Sequence, residues 1–313
     1  MTTLLLSGLA VTAAVCASLT AAVIPLLRRA RVIDVPGDRS LHKTPVPRGG
    51  GLAIVLSASL ATWATVLAAV HRHDTVHSLT GLGLALMGLA TVLAFALLGL
   101  IEDLFSVSVR ARLVLQLVLG AGLGLVAHSA FEVSLWWTPA ICVGTAALVN
   151  ATNFMDGANG LACGHALLTS LWYVQVAILA PVPGLGLVMV SVAGACLGFL
   201  PFNTPRAKVF LGDSGSYALG SAWAFAVTAC LAQGVAVEAA LAPVLVLLAD
   251  TGYTLWKRLR AGQCWYAPHR LHVYQRLVCA GWPHWASALL VTLAAASCSA
   301  LAAGSLLTGS RLW

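Results

Sequence analysis

The chain has 313 residues, of which 60% are hydrophobic and only 9% charged, with a formal net charge of +7. A soluble domain carries about 25% charged residues, so this composition excludes an ordinary soluble enzyme and predicts an all-α, polytopic integral membrane protein. No polar stretch is long enough for a separate soluble domain, so we expect residues 1–313 to form a single transmembrane domain.

Ten apolar segments long enough to cross a bilayer follow one another along the chain. We expect transmembrane helices over residues 3–27, 50–70, 80–101, 111–128, 134–150, 161–180, 184–201, 215–233, 236–256 and 285–308. Gly and Pro inside these segments do not argue against helices, because membrane helices tolerate both. The first segment lacks a preceding basic region and is long enough to span, so we interpret it as a retained helix rather than a signal peptide.

Basic residues are concentrated in the connections that follow the first, third, seventh and ninth segments. All but two of the 17 Lys and Arg residues lie there, and the exceptions are Arg72 and Arg311. Cytoplasmic connections carry an excess of positive charge, which predicts that the odd-numbered connections are cytoplasmic and both termini periplasmic. The positive net charge then reflects topology and contact with anionic membrane lipids, not nucleic-acid binding.

Polar and acidic residues gather in the five odd-numbered connections, which follow segments 1, 3, 5, 7 and 9. The stretches are DVPGDRSLHKTPVPRGGG (34–51), GLIEDLFSVSVRARL (99–113), NATNFMDGANGL (150–161), FNTPRAKVFLGDSGS (202–216) and HRLHVYQRL (269–277). A carboxylate at membrane depth is costly and is rare without a function, and Asp250 lies within the ninth segment. Each stretch alone is compatible with an ordinary solvated turn. Five of them on one side of the membrane favour an active site at the cytoplasmic face.

The residue types in these stretches suit phosphoryl transfer. Mg²⁺ is held by one or two carboxylates together with substrate phosphates, while amides of Gly-rich turns and basic side chains neutralise the remaining phosphate charge. The acidic pair Glu102–Asp103 at the end of the third segment is unfavourable beside the helix C-terminus. We therefore expect Arg110, Arg112 or a metal ion to compensate it.

Three of the stretches carry a resemblance to a known family. The patterns NxxNFMDGxNGL, FNxPxAKVFLGDSGS and HRxHxYQ resemble the polyprenyl-phosphate N-acetylhexosamine-1-phosphate transferases of glycosyltransferase family 4, most closely the branch that starts O-antigen and related surface polysaccharides. The resemblance implies an enzyme of the bacterial inner membrane. It would transfer the sugar phosphate of a UDP-N-acetylhexosamine to undecaprenyl phosphate, release UMP, and require Mg²⁺, with Mn²⁺ as a substitute.

The resemblance also assigns roles to individual residues. Asp213 matches the metal ligand, and the residues matching catalytic positions are Glu102, Asp103 and Asp156. Position 102 departs from the family, which usually has two aspartates. For a further set of residues the resemblance implies contacts with the diphosphate, the uridine or the phosphates of the substrates. These residues are Lys43, Arg48, Asn150, Asn153, Asn159, Asn203, Lys208, Phe210, His269, Arg270 and His272.

Two other interpretations stay open at this point. The related phospho-N-acetylmuramoyl-pentapeptide transferase of peptidoglycan synthesis has three consecutive histidines where this chain has HRLHVYQ. A polyprenyl-lipid transporter is the alternative of a different class, although transporters usually show inverted repeats and charges at mid-membrane. The sequence does not identify the donor sugar, and a homodimer remains open.

Overall fold

The computed structural model describes residues 2–37, 40–42, 44–71, 79–105, 107–180, 182–264, 266–267 and 269–308. Lys43, one of the predicted substrate-binding residues, lies outside these ranges. The described residues form a helical bundle with one small sheet. The helices are α1 (Thr2–Arg29), α2 (Gly51–His71), α3 (Leu79–Phe105), α4 (Val109–Phe131), α5 (Thr138–Met155), α6 (Leu161–Leu179), α7 (Leu185–Asn203), α8 (Gly212–Ala232), α9 (Val237–Arg260), α10 (Val273–Cys279) and α11 (His284–Thr308).

The prediction of an all-α, multi-pass membrane protein is confirmed. Among the described residues, nine helices are long and apolar enough to cross a membrane. The fifth predicted segment is also a helix, α5, but it is not one of these nine. Its polar residues Asn150 and Asn153 lower its mean hydropathy. The short helix α10 was not among the predicted segments. Which end of the bundle faces the cytoplasm stays a prediction.

The predicted end of the fifth segment at residue 150 was wrong, because α5 continues to Met155. Polar side chains do not end this helix, since they bond to its own main chain. Asn150 Nδ2 donates to Ala146 O over 2.8 Å, and Thr152 Oγ1 donates to Leu148 O over 2.7 Å. The polar stretch therefore begins as helix, and only residues 156–160 form the turn before α6.

Helix α8 lies at the centre of the bundle and is buried along most of its length. Glycines let two neighbours approach its first turns closely. A Cβ on Gly51 of α2 would overlap Gly215 of α8, and a Cβ on Gly99 of α3 would overlap the main chain of Asp213. The start of α8 is thus held directly against α2 and α3.

A small antiparallel sheet lies within the connection between α1 and α2. Strand β1 (Ile33–Asp34) pairs with β2 (Val46–Pro47). The chain after β2 then pairs with the segment before α8, because Phe210 N donates to Pro47 O over 2.8 Å and Gly50 N donates to Phe210 O over 2.9 Å. This pairing places Arg48 beside the first turn of α8. At one end of the bundle, α3 and α5 end and α8 begins, and we call this the motif end.

Candidate active site

Asp103, near the end of α3, holds the first turn of α8. Its Oδ1 accepts a hydrogen bond from Asp213 N at 3.0 Å, and its Oδ2 accepts one from Ser214 N at 2.9 Å. Gly212 precedes these amides with a φ of +79°, and a Cβ there would crowd the Asp103 carboxylate. A carboxylate is favourable at a helix N-terminus because unpaired amides and the helix dipole point towards it. Asp103 therefore fixes the position of Asp213.

Arg48 bridges the carboxylates of Asp103 and Asp213. Its Nε lies 2.9 Å from Asp103 Oδ1, and its Nη2 lies 2.8 Å from Asp213 Oδ2. Burial lowers the pKa of Arg48, but the charges of Asp213 and Asp103 outweigh that effect and raise the pKa above its ordinary value. Arg48 is accordingly a permanent cation at this position.

Asn153, in the last turn of α5, contacts the other oxygen of Asp213. Its Nδ2 donates to Asp213 Oδ1 over 2.7 Å and to Ser216 Oγ over 3.0 Å. Both carboxylate oxygens of Asp213 therefore have a donor, Asn153 on one side and Arg48 on the other.

Asp156, the residue after α5, adds a third carboxylate to this cluster. Among the described residues, its side chain has no direct hydrogen bond or ion pair. Burial raises its pKa well above the ordinary value, and the charge of Asp213 raises it further. The cluster thus combines three carboxylates with one arginine, and its excess negative charge favours the binding of a cation.

The turn after Asp156 is tied to the connection between α7 and α8. Asn203, which is buried, accepts a hydrogen bond from Gly160 N at 2.7 Å and donates one to Val209 O over 3.1 Å. Asn159 Nδ2 donates to Pro205 O over 3.2 Å. These bonds fix the turn that follows the carboxylate cluster.

The connection after α9 packs against α5. His272 is buried, and its Nδ1 lies 2.8 Å from Asp250 Oδ2 on α9. Tyr274 Oη donates to Phe154 O over 2.8 Å. His269 lies beside His272, with ring centroids 4.9 Å apart. Burial first, and then the charges of His272 and Arg258, lower the pKa of His269 to about 4, so its imidazole is neutral at physiological pH.

Glu102 points away from the carboxylate cluster. Its Oε1 lies 2.9 Å from Arg112 Nη1, and its Oε2 accepts a hydrogen bond from Val107 N at 2.9 Å. The prediction that a nearby positive charge compensates the acidic pair is confirmed for Glu102, which pairs with Arg112. The partner of Asp103 is Arg48, which was not among the residues predicted for this role.

Comparisons with known proteins give the family. Residues 84–232 match glycosyl transferase family 4. The decaprenyl-phosphate N-acetylglucosaminephosphotransferase of Mycobacterium leprae is 32% identical over 307 residues, covering 86% of this chain and 75% of that protein. The chain belongs to this family of transferases. A probable undecaprenyl-phosphate N-acetylglucosaminyl 1-phosphate transferase of Bacillus subtilis is 27% identical, over 86% of this chain and 77% of that protein. A phospho-N-acetylmuramoyl-pentapeptide-transferase of Desulforamulus reducens is 31% identical, over 64% of this chain and 66% of that protein.

In this family 4 chain, the structure brings part of the predicted site set into one cluster. Its members are Arg48, Asp103, Asn153, Asp156 and Asp213.

Other predicted residues lie at the motif end but contact protein groups. Arg270 Nη2 donates to Ser40 O over 2.8 Å, the Phe210 ring lies 4.9 Å from the His42 ring, and Lys208 Nζ lies 5.8 Å from the centre of the Phe202 ring. Asn150 lies deeper and donates to Gln116 Oε1 on α4 over 2.5 Å. The substrate roles of these side chains stay predictions.

Asp250 and Gln116 are the main polar partners that the sequence-based site did not include. Asp250 could have been found, because an acidic residue within a membrane helix signals a polar partner. Gln116 gave a weaker signal, since a single amide in an apolar helix does not reveal which neighbouring helix it faces.

Proposed function

We propose that this protein transfers N-acetylhexosamine 1-phosphate from a UDP-sugar to undecaprenyl phosphate at the cytoplasmic face of the inner membrane. UMP is released, and a lipid-linked diphosphate sugar that starts a surface polysaccharide such as O-antigen is formed. The observation that carries the proposal is the Asp103–Arg48–Asp213 cluster at the start of α8, at the end of a membrane-spanning bundle. The relatives from M. leprae and B. subtilis are named as N-acetylglucosamine phosphate transferases that act on polyprenyl phosphates, which supports this class of reaction.

The carboxylates of the cluster are suitable ligands for a magnesium ion. Among the described residues, no group of three or more His, Cys, Asp or Glu side chains is arranged as a metal site, but Mg²⁺ needs only one or two carboxylates when substrate phosphates and water complete its shell. Asp213 and Asp156 would hold it, since Asp156 is a half-buried carboxylate whose side chain has no hydrogen bond or ion pair to any other described residue. When bound, Mg²⁺ would neutralise the charge of the donor diphosphate.

The protein residues then act by position and charge. In the proposed reaction, a phosphate oxygen of the lipid bonds to the β-phosphorus of the donor. The bond from that phosphorus to the bridging oxygen breaks, and UMP leaves with the electron pair. Such a reaction requires little covalent chemistry from the protein. Asp103 is a positioning residue here, because both of its oxygens accept main-chain amides of α8.

The connection after α9 adds a neutral side chain to the motif end. His269 is half-buried and uncharged at physiological pH, so it can contact phosphate oxygens as a hydrogen-bond donor without an ionic interaction. Arg270 and Lys208 would supply positive charge from the same end of the bundle. We infer that these three side chains contact the donor and lipid phosphates.

A direct assay tests the reaction and the donor together. Purified protein in detergent is incubated with undecaprenyl phosphate, Mg²⁺ and one of several donors: UDP-N-acetylglucosamine, the 6-deoxy sugars UDP-N-acetylfucosamine and UDP-N-acetylquinovosamine, or UDP-N-acetylmuramoyl-pentapeptide. We expect UMP release with one of the N-acetylhexosamine donors and its loss on addition of EDTA. Release only with the pentapeptide donor would assign the chain to peptidoglycan synthesis. Well-folded protein that releases UMP from no donor would contradict the transferase proposal and favour lipid transport.

A further inference from the structure

The contact between Arg48 and Asp213 occupies the carboxylate that would hold the proposed metal ion. Arg48 Nη2 lies 2.8 Å from Asp213 Oδ2, while Asn153 Nδ2 lies 2.7 Å from Asp213 Oδ1. Both carboxylate oxygens of Asp213 therefore already accept a hydrogen bond. A cation that binds this carboxylate must displace one of the two donors, or share an oxygen with it.

Of the two donors, Arg48 is the one that a divalent cation would expel. An amide is neutral and can rotate to present its oxygen to a cation, whereas a guanidinium is positively charged and has only donors. Two cations on one carboxylate also repel each other strongly in a partly buried site. An exchange on this carboxylate would therefore be between Arg48 and the cation.

The geometry allows the Arg48 side chain to move while its main chain stays in place. Arg48 N donates to Val32 O over 3.1 Å, and the residue pairs with Phe210 in a parallel bridge. Its side chain is 37% exposed, so water and substrate can reach the guanidinium. Asp103 would retain one end of the guanidinium, since its contact to Nε does not involve Asp213.

We propose that Arg48 is the resident counter-ion of Asp213, that a divalent cation replaces it there, and that the displaced guanidinium then binds the diphosphate of the donor. This inference rests on the proposed function, in which Asp213 holds the metal. One residue would thereby stabilise the cation-free site and couple metal binding to donor binding. Arginine suits the second role because its planar group pairs well with phosphate oxygens.

Direct measurement of Mn²⁺ binding tests the exchange without an activity assay. Mn²⁺ is titrated into the full-length protein in detergent without nucleotide, and free Mn²⁺ is measured by its paramagnetic resonance signal. We expect Arg48→Gln to bind Mn²⁺ about tenfold more tightly than the wild type, which corresponds to about 1.4 kcal/mol. With Mn²⁺ saturating, the same variant should bind UDP-N-acetylglucosamine more weakly than the wild type does.

Two variants provide controls for charge and for loss of an ion pair. Arg48→Lys keeps a positive charge near Asp213 and should bind Mn²⁺ more weakly than Arg48→Gln. Arg112→Gln removes an arginine that pairs with Glu102 instead, and it should leave the Mn²⁺ affinity unchanged. Thermal unfolding of each variant shows whether the fold is retained.

The outcomes separate this inference from the proposed function. An Arg48→Gln protein that binds Mn²⁺ no more tightly than the wild type would overturn the exchange, even if Asp213→Asn abolishes binding as the proposed function requires. If Arg48→Gln unfolds, ¹⁵N-labelled arginine in the wild type supplies the second measurement. The Nη–H signals of Arg48 should shift on addition of Mg²⁺, because Nη2 is the atom that contacts Asp213, and an unchanged spectrum would reject the exchange.

Discussion

The carboxylate of Asp250 on α9 contacts both the side chain of His272 and the first amide of α10. Asp250 Oδ2 lies 2.8 Å from His272 Nδ1, and Oδ1 accepts a hydrogen bond from Val273 N at 3.1 Å. The two side chains are only 8% and 3% exposed. His272 in turn packs near Phe154, with ring centroids 6.0 Å apart. Asp250 thereby links the connection after α9 to the helix that carries Asn153.

We expect Asp250→Asn to weaken both stability and substrate binding. The variant replaces two hydrogen bonds to a carboxylate by weaker bonds to an amide, and at about 1 kcal/mol for each bond this lowers the free energy of unfolding by about 2 kcal/mol. Because His272 packs against the helix preceding the 156–160 turn, KM for the UDP-sugar should rise more than kcat falls. Steady-state kinetics and chemical unfolding measure these effects. The control is Glu132→Gln, which changes an exposed acid that follows α4, at the end of the bundle opposite the motif end. Equal effects of the two changes would contradict the role of Asp250 in holding His272.

Asp213→Asn should abolish turnover. The amide removes the negative charge that the proposed metal needs, and the loss of such electrostatic stabilisation costs about 100-fold or more in kcat. UMP release and Mn²⁺ titration are the measurements. Ser216→Ala removes only a hydroxyl that contacts Asn153, and it should retain most of the activity. Near-normal turnover of a purified Asp213→Asn protein would rule out the metal role of this residue.

The adjacent acids Glu102 and Asp103 should respond differently to substitution. Glu102→Asp restores the pair that is usual in the family and keeps the charge that pairs with Arg112, so we expect most of the activity to remain. Asp103→Asn weakens the acceptor of two α8 amides and the contact to Arg48, so its turnover should fall severely. Comparing kcat of the two variants checks this, and a loss in Glu102→Asp as deep as in Asp103→Asn would be the contrary result.

The sequence allowed the helices to be predicted because long apolar runs have no other stable structure in a membrane. It did not reveal where α5 ends, since Asn150 and Thr152 donate side-chain hydrogen bonds to main-chain carbonyls of α5 and leave the helix intact. The members of the carboxylate cluster were predicted from their motifs. Their pairing was not, because Arg48 meets Asp213 only after two distant connections pair through their main chains.

The contact of α3 with α8 depends on a glycine and can be tested by a single methyl group. A Cβ on Gly99 would overlap Asp213 O and lie 2.6 Å from Ser214 N, so Gly99→Ala should displace the first turn of α8. We expect a lower unfolding temperature and a large loss of turnover. Gly83 lies in the same helix, and a Cβ there would meet nothing within 4 Å. Gly83→Ala should be neutral or stabilising by up to about 1 kcal/mol, since Ala is the better helix former, and equal effects of the two variants would argue against the close contact.

Asp156 should make the metal-free protein less stable as pH rises. Burial and the charge of Asp213 raise its pKa in the folded protein well above the value of the unfolded chain, which is about 4. Between these two pKa values the folded protein holds more protons than the unfolded chain, so its free energy of unfolding falls as pH increases through that window. Above the window the full destabilisation remains.

Asp156→Asn removes this titration and should raise the unfolding temperature of the metal-free protein at neutral pH, while lowering turnover and Mn²⁺ affinity. Thermal unfolding in EDTA over a pH series, with wild type and variant compared, is the measurement. The two unfolding temperatures should converge towards acid pH, where the wild-type carboxyl is protonated in both states. A variant that is less stable than the wild type at neutral pH in EDTA would show that the Asp156 carboxylate is not held at an electrostatic cost. Added Mg²⁺ should reverse the order of stability, because a ligand that binds the folded wild type more tightly stabilises it more.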